Sequence, residues 1–245
     1  MEWRFVPKKK YDPAVAIASE EILLKKVSRT KTPVVRFWEW KSKAATIGRS
    51  QKVSNELDLE FCESKNVSVI RRPTGGGAMY HAPKDELVYS IVAPRDHFPD
   101  DITQIYRDIC KKVVKSLDRI DIESRFVEPN SIFIDENKVS GSAQKITKDV
   151  ILQHGTLLYD PDRDMMFSLL KRNEPPERHI GSNVTSVTGI TEFSDVSLSH
   201  LYRTLKEGIL NNKKYFTKDL TKKELENAEK LADKKYKKEG WNLSP

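Results

Sequence analysis

The chain has 245 residues, enough to bury a substantial core, and its 43 Lys and Arg against 36 Asp and Glu give a net charge of +7. That charge permits attraction to nucleic acid, an anionic membrane or an acidic protein without choosing among them. Two cysteines without metal-site or redox spacing, no signal-peptide core and no apolar run of roughly 18 residues exclude a membrane-spanning helix and predict a soluble, cytoplasmic protein.

The predicted elements, taken in chain order, alternate between runs of strands and single helices. The first helix begins at Asp12 and Pro13, because Asp caps free N–H groups and Pro has none to lose there. The clearest helix spans 101–117, where Ile102, Ile105, Ile109, Val113 and Leu117 repeat along one face. Helices are predicted over 12–26, 55–65, 101–117, 165–170, 198–210 and 220–236, and strands over 34–40, 45–48, 67–71, 78 onward, 86–92, 122–127, 131–134 and 150–159. This order favours an α+β domain over strict βαβ alternation.

The segment 71–81, Arg-Arg-Pro-Thr-Gly-Gly-Gly-Ala-Met-Tyr-His, is the most informative part of the sequence. Its three glycines connect two predicted strands, and glycine lets main-chain N–H groups approach an anion closely. No Gly-Lys-Ser/Thr follows, as a P-loop requires, and no Gly-x-Gly-x-x-Gly opens a helix, as a dinucleotide fold requires. The pattern therefore predicts a phosphate site of a less common kind.

Four further motifs accompany the glycine segment in a fixed order. They are Arg36-Phe-Trp-Glu-Trp-Lys, Thr46-Ile-Gly-Arg49, Lys138-Val-Ser-Gly-Ser-Ala-Gln144 and Gln153-His-Gly-Thr-Leu-Leu158. With these motifs the chain resembles the lipoate-protein ligase family from about residue 14 to about residue 190. Weaker signals of the same family are Asn183-Val-Thr-Ser-Val187 and Glu239-Gly-Trp-Asn242.

The resemblance implies a fold and a domain organisation. The expected fold is a mixed, mainly antiparallel sheet flanked by helices, the catalytic-domain architecture shared with biotin protein ligases. Family members with full ligase activity often carry a C-terminal accessory domain, whereas this chain stops soon after Trp241. We therefore expect a single catalytic domain over 1–245 without the accessory domain, as in archaeal-type members, and adenylate formation that stays weak until a separate small accessory subunit is added.

The resemblance also implies the reaction. Lipoic acid is the substrate, and its carboxylate attacks the α-phosphate of ATP to give lipoyl-AMP and pyrophosphate. An acceptor lysine on a lipoyl-domain protein then attacks the activated carbonyl. Expected acceptors are the E2 subunits of 2-oxoacid dehydrogenases and the H protein of glycine cleavage. Mg²⁺ is expected to accompany ATP, with no protein ligand assigned.

Lys138 is the expected catalytic residue, because its ammonium can contact the α-phosphate and the carboxylate together. Arg72 is expected to bind phosphate through two parallel hydrogen bonds, and Arg71 to pair with a structural carboxylate. By correspondence with the family, main-chain contacts to the nucleotide come from Gly77, Ala78, Met79 and Tyr80, while Gly75 and Gly76 permit the turn.

Substrate contacts are expected from three further residues. Trp38 belongs to a mainly aromatic set, with Phe37, Trp40, Tyr80 and Leu157, that could line an apolar slot for the acyl chain, although core packing is the stronger interpretation for most of its members. His154 orients a strand or contacts substrate. His81 is either a substrate contact or a satisfied structural histidine.

Three alternatives remain open from the sequence. A cysteine-dependent octanoyl or lipoyl transferase needs an exposed, low-pKa thiol, and neither Cys62 nor Cys110 is suitably placed. A biotin protein ligase would show a Gly-Arg-Gly-Arg-x-Gly loop, which is missing from the sequence. A basic nucleic-acid-binding module is suggested by charge alone, since the lysine-rich run over 213–238 suits a solvated helix face or the docking of acidic lipoyl domains.

Overall fold

Two β-sheets form the framework of the protein, a computed structural model that describes residues 2–171 and 187–244. The strands are β1 (Trp3–Tyr11), β2 (Val34–Trp40), β3 (Ala44–Ile47), β4 (Ser68–Arg71), β5 (Met79–His81), β6 (Glu86–Pro94), β7 (Arg125–Val127), β8 (Ser131–Ile134), β9 (Asn137–Ile146), β10 (Val150–Leu158) and β11 (Tyr215–Thr217). The larger sheet has the order β11-β1-β2-β6-β10-β9-β8-β7, and the smaller sheet has the order β4-β3-β5. Among the described strands, β1 pairs in parallel with β2 and β11 and β3 pairs in parallel with β4, while the other pairs are antiparallel, so the expected mixed, mainly antiparallel sheet is confirmed.

Helices cover both faces of the larger sheet. They are α1 (Pro13–Thr30), α2 (Val53–Glu56), α3 (Leu59–Ser64), α4 (Ile102–Asp118), α5 (Arg163–Leu169), α6 (Leu198–Leu210), α7 (Lys222–Leu231), which continues as a π-helix (Ala232–Tyr236), and α8 (Glu239–Asn242). One core lies between the sheet and α4 and α6, and a second lies between the sheet and α1 and α7. No helix in the described ranges is both long enough and apolar enough to cross a membrane.

The two central strands, β6 and β10, are buried along their whole lengths. The sequence over 86–92 alternates in the way of a strand with one face exposed, but helices on both sides of the sheet leave neither face of this strand to solvent. Residues of β10 therefore divide between the two cores, with Ile151 and Leu157 facing α4 and α6 and Leu152 facing α1. His154 follows Leu152 by two positions and so points toward α1, which fixes the side of the sheet on which the candidate site lies.

Most predicted elements are present, and the departures have local causes. The helix predicted over 55–65 is divided, because the Asp58 N–H pairs with the Leu169 carbonyl and its side chain caps a new helix at the Phe61 N–H. Ile102 is the first residue of α4 but is 53% exposed, so it does not belong to the buried face that the other four predicted residues of this helix form. Strands β1, β9 and β11 were not predicted.

The strands that flank the glycine segment do not pair with each other. β4 pairs in parallel with one side of β3, and β5 pairs antiparallel with the other side. The glycine segment therefore crosses from one edge of a three-stranded sheet to the other. Of the weaker motif at 183–187, residues 183–186 lie outside the described residues, and Val187 forms a parallel bridge with Lys138.

Candidate functional site

Residues 72–78, here called the glycine loop, lie against β9 of the larger sheet. The Gly75 N–H approaches the Gln144 carbonyl at 3.4 Å, and a Cβ built at Gly76 would stand 3.4 Å from the Ala143 Cβ. Gly76 has φ of +90°, a conformation that favours glycine. A Cβ at Gly48 would overlap the Gly76 carbonyl oxygen, whereas one at Gly75 would meet nothing within 4 Å. Gly76 and Gly48 are therefore the positions where glycine is sterically required, and Gly48 was not among the predicted site residues.

Lys138 begins the motif on β9 and lies on the same face of the strand as the glycine loop. A Cβ built at Gly141 would stand 3.0 Å from the Lys138 Cε and 3.2 Å from its Nζ, so the side chain crosses the bare backbone of Gly141. Gly141 and Ala143 are two positions apart and share a face, with a spacing of about 7 Å. The Lys138 ammonium and the glycine loop consequently converge over one stretch of β9, as the sequence predicted.

The Lys138 ammonium is a half-buried cation. Burial lowers its pKa to about 8 from an ordinary 10.5. Among the described residues, none places a carboxylate within ion-pair distance of its Nζ. A buried ammonium without a partner is costly. Binding of an anion beside the Lys138 ammonium would therefore lower its free energy.

Arg72 lies at the base of the glycine loop. Its Nη2 donates to the carbonyls of Gly75 (3.0 Å) and Gly77 (2.9 Å), its Nη1 to Thr46 Oγ1 (2.7 Å) and its Nε to Thr74 Oγ1 (3.3 Å). Burial lowers its pKa to about 10. Four of its five N–H donors are thus bonded within the protein. The expected grip on phosphate through two parallel hydrogen bonds is not possible in this arrangement, which leaves one Nη1 hydrogen for an anion.

Within the described part of the chain Arg71 pairs with no carboxylate, contrary to the sequence expectation. Its guanidinium donates to the carbonyls of Gly48, Arg49, Gln51, Trp241 and Asn242 at 2.6 to 3.2 Å. The Asn242 Oδ1 and the Trp241 Nε1 also bond the Arg71 main chain. The closing motif at 239–242 is therefore fastened to the start of the glycine loop, a long-range role that no local pattern signals.

Both predicted histidines are buried and have both ring nitrogens engaged. His81 lies between Glu86 Oε1 (2.5 Å) and Thr46 Oγ1 (2.8 Å). His154 lies between Glu20 Oε2 (2.9 Å) and Thr74 Oγ1 (3.1 Å). Neither ring has a free nitrogen for proton transfer to a substrate, so for His81 the arrangement favours the structural alternative.

The aromatic set does not form a single slot, because β2 alternates its side chains between the two cores. Phe37 and Leu157 face α4 and α6, whereas Trp38 and Trp40 face α1. Trp38 is fully buried under the Arg36 guanidinium, 4.5 Å from the ring centroid. Trp40 instead stacks on His81, with the ring centroids 4.4 Å apart. Trp40 therefore contacts one of the predicted site residues, and a role for Trp38 in binding substrate stays a prediction.

The remaining glycine-loop candidates divide by exposure. Gly75 and Gly76 are exposed, Gly77, Ala78 and Met79 are half-buried, and Tyr80 is buried with its pKa raised by desolvation. Gly75 and Gly76 form the exposed part of the loop, and the Gly75 N–H is directed at the Gln144 carbonyl. The predicted nucleotide contacts at 77–80 are compatible with this placement and stay a prediction.

Further positive charge surrounds the glycine loop. The Arg49 N–H donates to the Thr74 carbonyl at 2.8 Å, and Lys145 follows Gln144 on β9. Burial lowers the pKa of Lys145, and Glu21 partly offsets that effect while Lys235 and Arg49 add to it. Of the described residues that act on Lys145, Arg49 and Lys235 are cations and Glu21 is a carboxylate, and this excess of positive charge suits an anionic ligand.

Neither thiol lies in the site. Cys62 on α3 is 1% exposed and Cys110 on α4 is fully buried, and burial raises the pKa of each to about 11. The Cys110 Sγ lies 3.6 Å from Ser142 Oγ, on the face of β9 opposite to Gly141 and Ala143. A thiolate nucleophile needs exposure and a lowered pKa, and both thiols lack these properties.

Comparison with known proteins gives consistent matches over the whole chain. A family model described as lipoyl protein ligase A/B catalytic domain matches residues 12–210. Proteins named octanoyltransferase LipM are similar, including that of Staphylococcus epidermidis (29% identity, 98% of this chain and 97% of that protein) and that of Brevibacillus brevis (30% identity, 99% of each).

Solved structures give a second set of matches. Ta0514 of Thermoplasma acidophilum with bound lipoic acid has a TM-score of 0.86 and 27% identity over 100% of both chains. A lipoate-protein ligase A bound with ATP has a TM-score of 0.86 and 27% identity over 99% of both chains. A bipartite lipoate protein ligase from T. acidophilum, described with its E2 lipoyl domain, has a TM-score of 0.86 and 27% identity over 99% of this chain and 96% of that one.

Proposed function

The chain belongs to the lipoyl protein ligase A/B catalytic-domain family, and we propose that it activates lipoate with ATP and transfers the lipoyl group to a lysine of lipoyl-domain proteins. The observation that carries this proposal is the convergence of the glycine loop and the Lys138 ammonium, which pairs with no carboxylate among the described residues, over one face of β9. A cation and main-chain donors at one place suit a reaction that must join two anions. The curated relatives are named as octanoyltransferases and one structural relative is described with its E2 lipoyl domain, which supports acyl transfer to such domains.

In the first step, one oxygen of the lipoate carboxylate attacks the α-phosphorus of ATP, and pyrophosphate leaves. Lys138 would lie between the two reacting anions and offset their repulsion, and their arrival would raise its lowered pKa and hold it charged. Exposed N–H groups of the glycine loop would face the phosphate oxygens. In the second step the acceptor amine attacks the acyl carbon, and AMP leaves with the oxygen that came from the carboxylate.

Mg²⁺ would accompany ATP in this reaction. Among the described residues, no three His, Cys, Asp or Glu side chains are grouped so that they could hold a metal ion. Mg²⁺ commonly keeps several waters and binds through substrate phosphates with few protein ligands, so the residues present fit an ion carried by the nucleotide. The ion would supply charge neutralisation at the phosphates.

A separate accessory protein is part of the proposal. The chain matches the catalytic-domain family along most of its length, and one structural relative is described as a bipartite ligase. We propose a single catalytic unit whose adenylation is stimulated by a small partner protein. Expected acceptors are E2 lipoyl domains and the glycine-cleavage H protein.

A second candidate function is supported by the names of the curated relatives. These are octanoyltransferases, and such an enzyme would move an octanoyl group between carrier proteins without ATP. Against this candidate stand the two buried thiols with raised pKa. For this reason we place the ligase first and retain the transferase as the alternative.

A cysteine-free variant separates the two candidates. Cys62→Ala and Cys110→Ala would be combined, and the mass of an apo lipoyl domain followed with either lipoate plus ATP or an octanoylated acyl carrier protein as donor. The ligase proposal predicts modification from lipoate and ATP, retained within about threefold in the cysteine-free protein. Modification from the carrier protein alone, abolished in the cysteine-free protein while a folding control is unchanged, would establish the transferase instead.

A further inference from the structure

Seven side chains at the base of the glycine loop form one continuous hydrogen-bonded chain. In order they are Glu86, His81, Thr46, Arg72, Thr74, His154 and Glu20. All seven are buried, the most exposed at 8%. This hydrogen-bonded series has two arms of the same composition, each with a carboxylate, an imidazole and a hydroxyl in that order. The two arms meet at the Arg72 guanidinium. The series draws on both sheets and on α1.

The hydrogen bonds that join the seven side chains can be assigned consistently in both arms, while the second carboxylate oxygens, Glu86 Oε2 and Glu20 Oε1, are buried without a hydrogen-bond partner among the described residues. Arg72 only donates, so each threonine Oγ1 accepts from it. Each hydroxyl is then free to donate to the Nε2 of its histidine, and each Nδ1–H donates to a glutamate. This assignment is consistent with the inventory of donors and acceptors. The arms therefore hold the plane of the guanidinium from two sides.

The hydroxyl and imidazole groups of the two arms also keep the carboxylates away from the Arg72 guanidinium. A direct Arg–Glu pair would cancel the positive charge at the loop and place a carboxylate where an anionic ligand must approach. Here a hydroxyl and an imidazole stand between Arg72 and each glutamate. Arg72 keeps its Nη2 for the Gly75 and Gly77 carbonyls, which set the course of the loop.

We propose that Thr46, His81 and Glu86 in one arm, and Thr74, His154 and Glu20 in the other, are positioning residues that fix Arg72 and thereby the shape of the glycine loop. This inference rests on the proposed function in taking the loop as the nucleotide site. It goes beyond that function in assigning the residues that hold the loop ready before any ligand arrives. Preorganised donors contribute to catalysis because they do not reorient during the reaction.

Thr46 gives the cleanest test because, among the described residues, its hydroxyl is hydrogen-bonded only to Arg72 and His81. Thr46→Val keeps the shape and removes the hydroxyl, Thr46→Ser keeps the hydroxyl, and Thr204→Val on α6 is a matched buried control outside both arms. Hydrogen exchange of the amides of 75–79 would be measured in the ligand-free protein. Steady-state kinetics with ATP would be measured in parallel.

In Thr46→Val we expect the amides of 75–79 to exchange at least tenfold faster while those of β10 do not change. Losing a hydrogen bond to a charged donor should raise the KM for ATP by about tenfold to a hundredfold, with a smaller fall in kcat. Thr46→Ser should return both values to within about threefold of wild type, and Thr204→Val should change neither.

Unchanged exchange in the loop of Thr46→Val would overturn the inference. Equal acceleration in β10 would also overturn it, because it would mean a general loss of stability. Faster exchange confined to the loop, together with a wild-type protein that binds no ATP, would support the positioning role and refute the proposed function.

Discussion

Replacing Lys138 with methionine should separate stability from activity. A fall in pKa from 10.5 to about 8 at about 1.4 kcal/mol per unit means that the charged ammonium is about 3 kcal/mol less stable in the site than in water. At pH 7 the protein carries much of this cost, because no described carboxylate pairs with the ammonium. Lys138→Met keeps the length of the side chain and removes the charge, so the variant should be as stable as wild type or more stable by about 1–3 kcal/mol.

Activity should change in the opposite direction. Loss of one preorganised cationic donor costs on the order of 10²–10³ in rate. Lys148→Met, at an exposed position in the turn between β9 and β10, is the matched control and should leave both properties unchanged. Urea unfolding at pH 7 and acylation of an apo lipoyl domain would be measured on all three proteins. A Lys138→Met protein that loses stability, and loses activity only in proportion to the unfolded fraction, would refute the reasoning.

The pH dependence of stability gives a second view of the same residue. The lowered pKa means that the unfolded state binds more protons between pH 8 and 10.5, so this group makes stability rise with pH across that range. The rise should be missing from Lys138→Met. A Lys138→Met protein with the same slope as wild type above pH 8 would show that the ammonium is not desolvated.

Two further predictions concern the glycine loop and the distant ion pairs. Gly48→Ala should abolish ATP binding, because the added methyl group would overlap the main chain of the glycine loop. Gly75→Ala should bind ATP with an affinity within about threefold of wild type, because its methyl group would meet no other atom. Calorimetry would measure ATP binding by both variants, and an equal loss of affinity in the two would contradict the prediction. Burial alone would raise the pKa of Glu224, but hydrogen bonds from Arg4 and Lys26 lower it to about 2. The ionised carboxylate therefore contributes roughly 2–3 kcal/mol to the free energy of unfolding above pH 4.5, and this contribution is lost as the pH falls toward 2. Glu224→Gln should flatten the acid limb of a stability–pH curve, and an unchanged limb would contradict the assignment.

The parts of the fold that follow from the sequence are those with local causes. Asp12 and Pro13 start α1 through a cap that the structure contains, and the 3.6-residue pattern of 101–117 gives α4 almost to the residue. The convergence of Lys138 with the glycine loop also followed from the sequence, because the resemblance covered several motifs in order.

In two of the three missed strands, β9 and β1, local preference opposes the structure. β9 contains Ser140, Gly141 and Ser142, residues of low strand preference, and it is held by its neighbours β8 and β10. β1 carries Lys8, Lys9 and Lys10 and reads as a polar segment, yet it is fixed between two parallel strands.

The polar contacts of the site could not be predicted because they join distant parts of the chain. Glu20 and His154 are 134 positions apart, and Arg71 is bonded to residues about 170 positions away. No local pattern signals such pairs. For the same reason the sequence assigned Arg72 to phosphate, whereas the structure commits most of its donors to the loop and the two threonines.

The most direct test of the central claim is the fate of a carboxylate oxygen. Lipoate labelled with ¹⁸O in its carboxylate would be incubated with the protein, ATP, Mg²⁺ and an apo lipoyl domain, with and without a small accessory protein, and the AMP analysed by mass spectrometry. Adenylation predicts one ¹⁸O in each AMP and one AMP for each lipoylated lysine, with the rate raised by the accessory protein. Lipoyl domain modified without AMP, or AMP without label, would contradict the account.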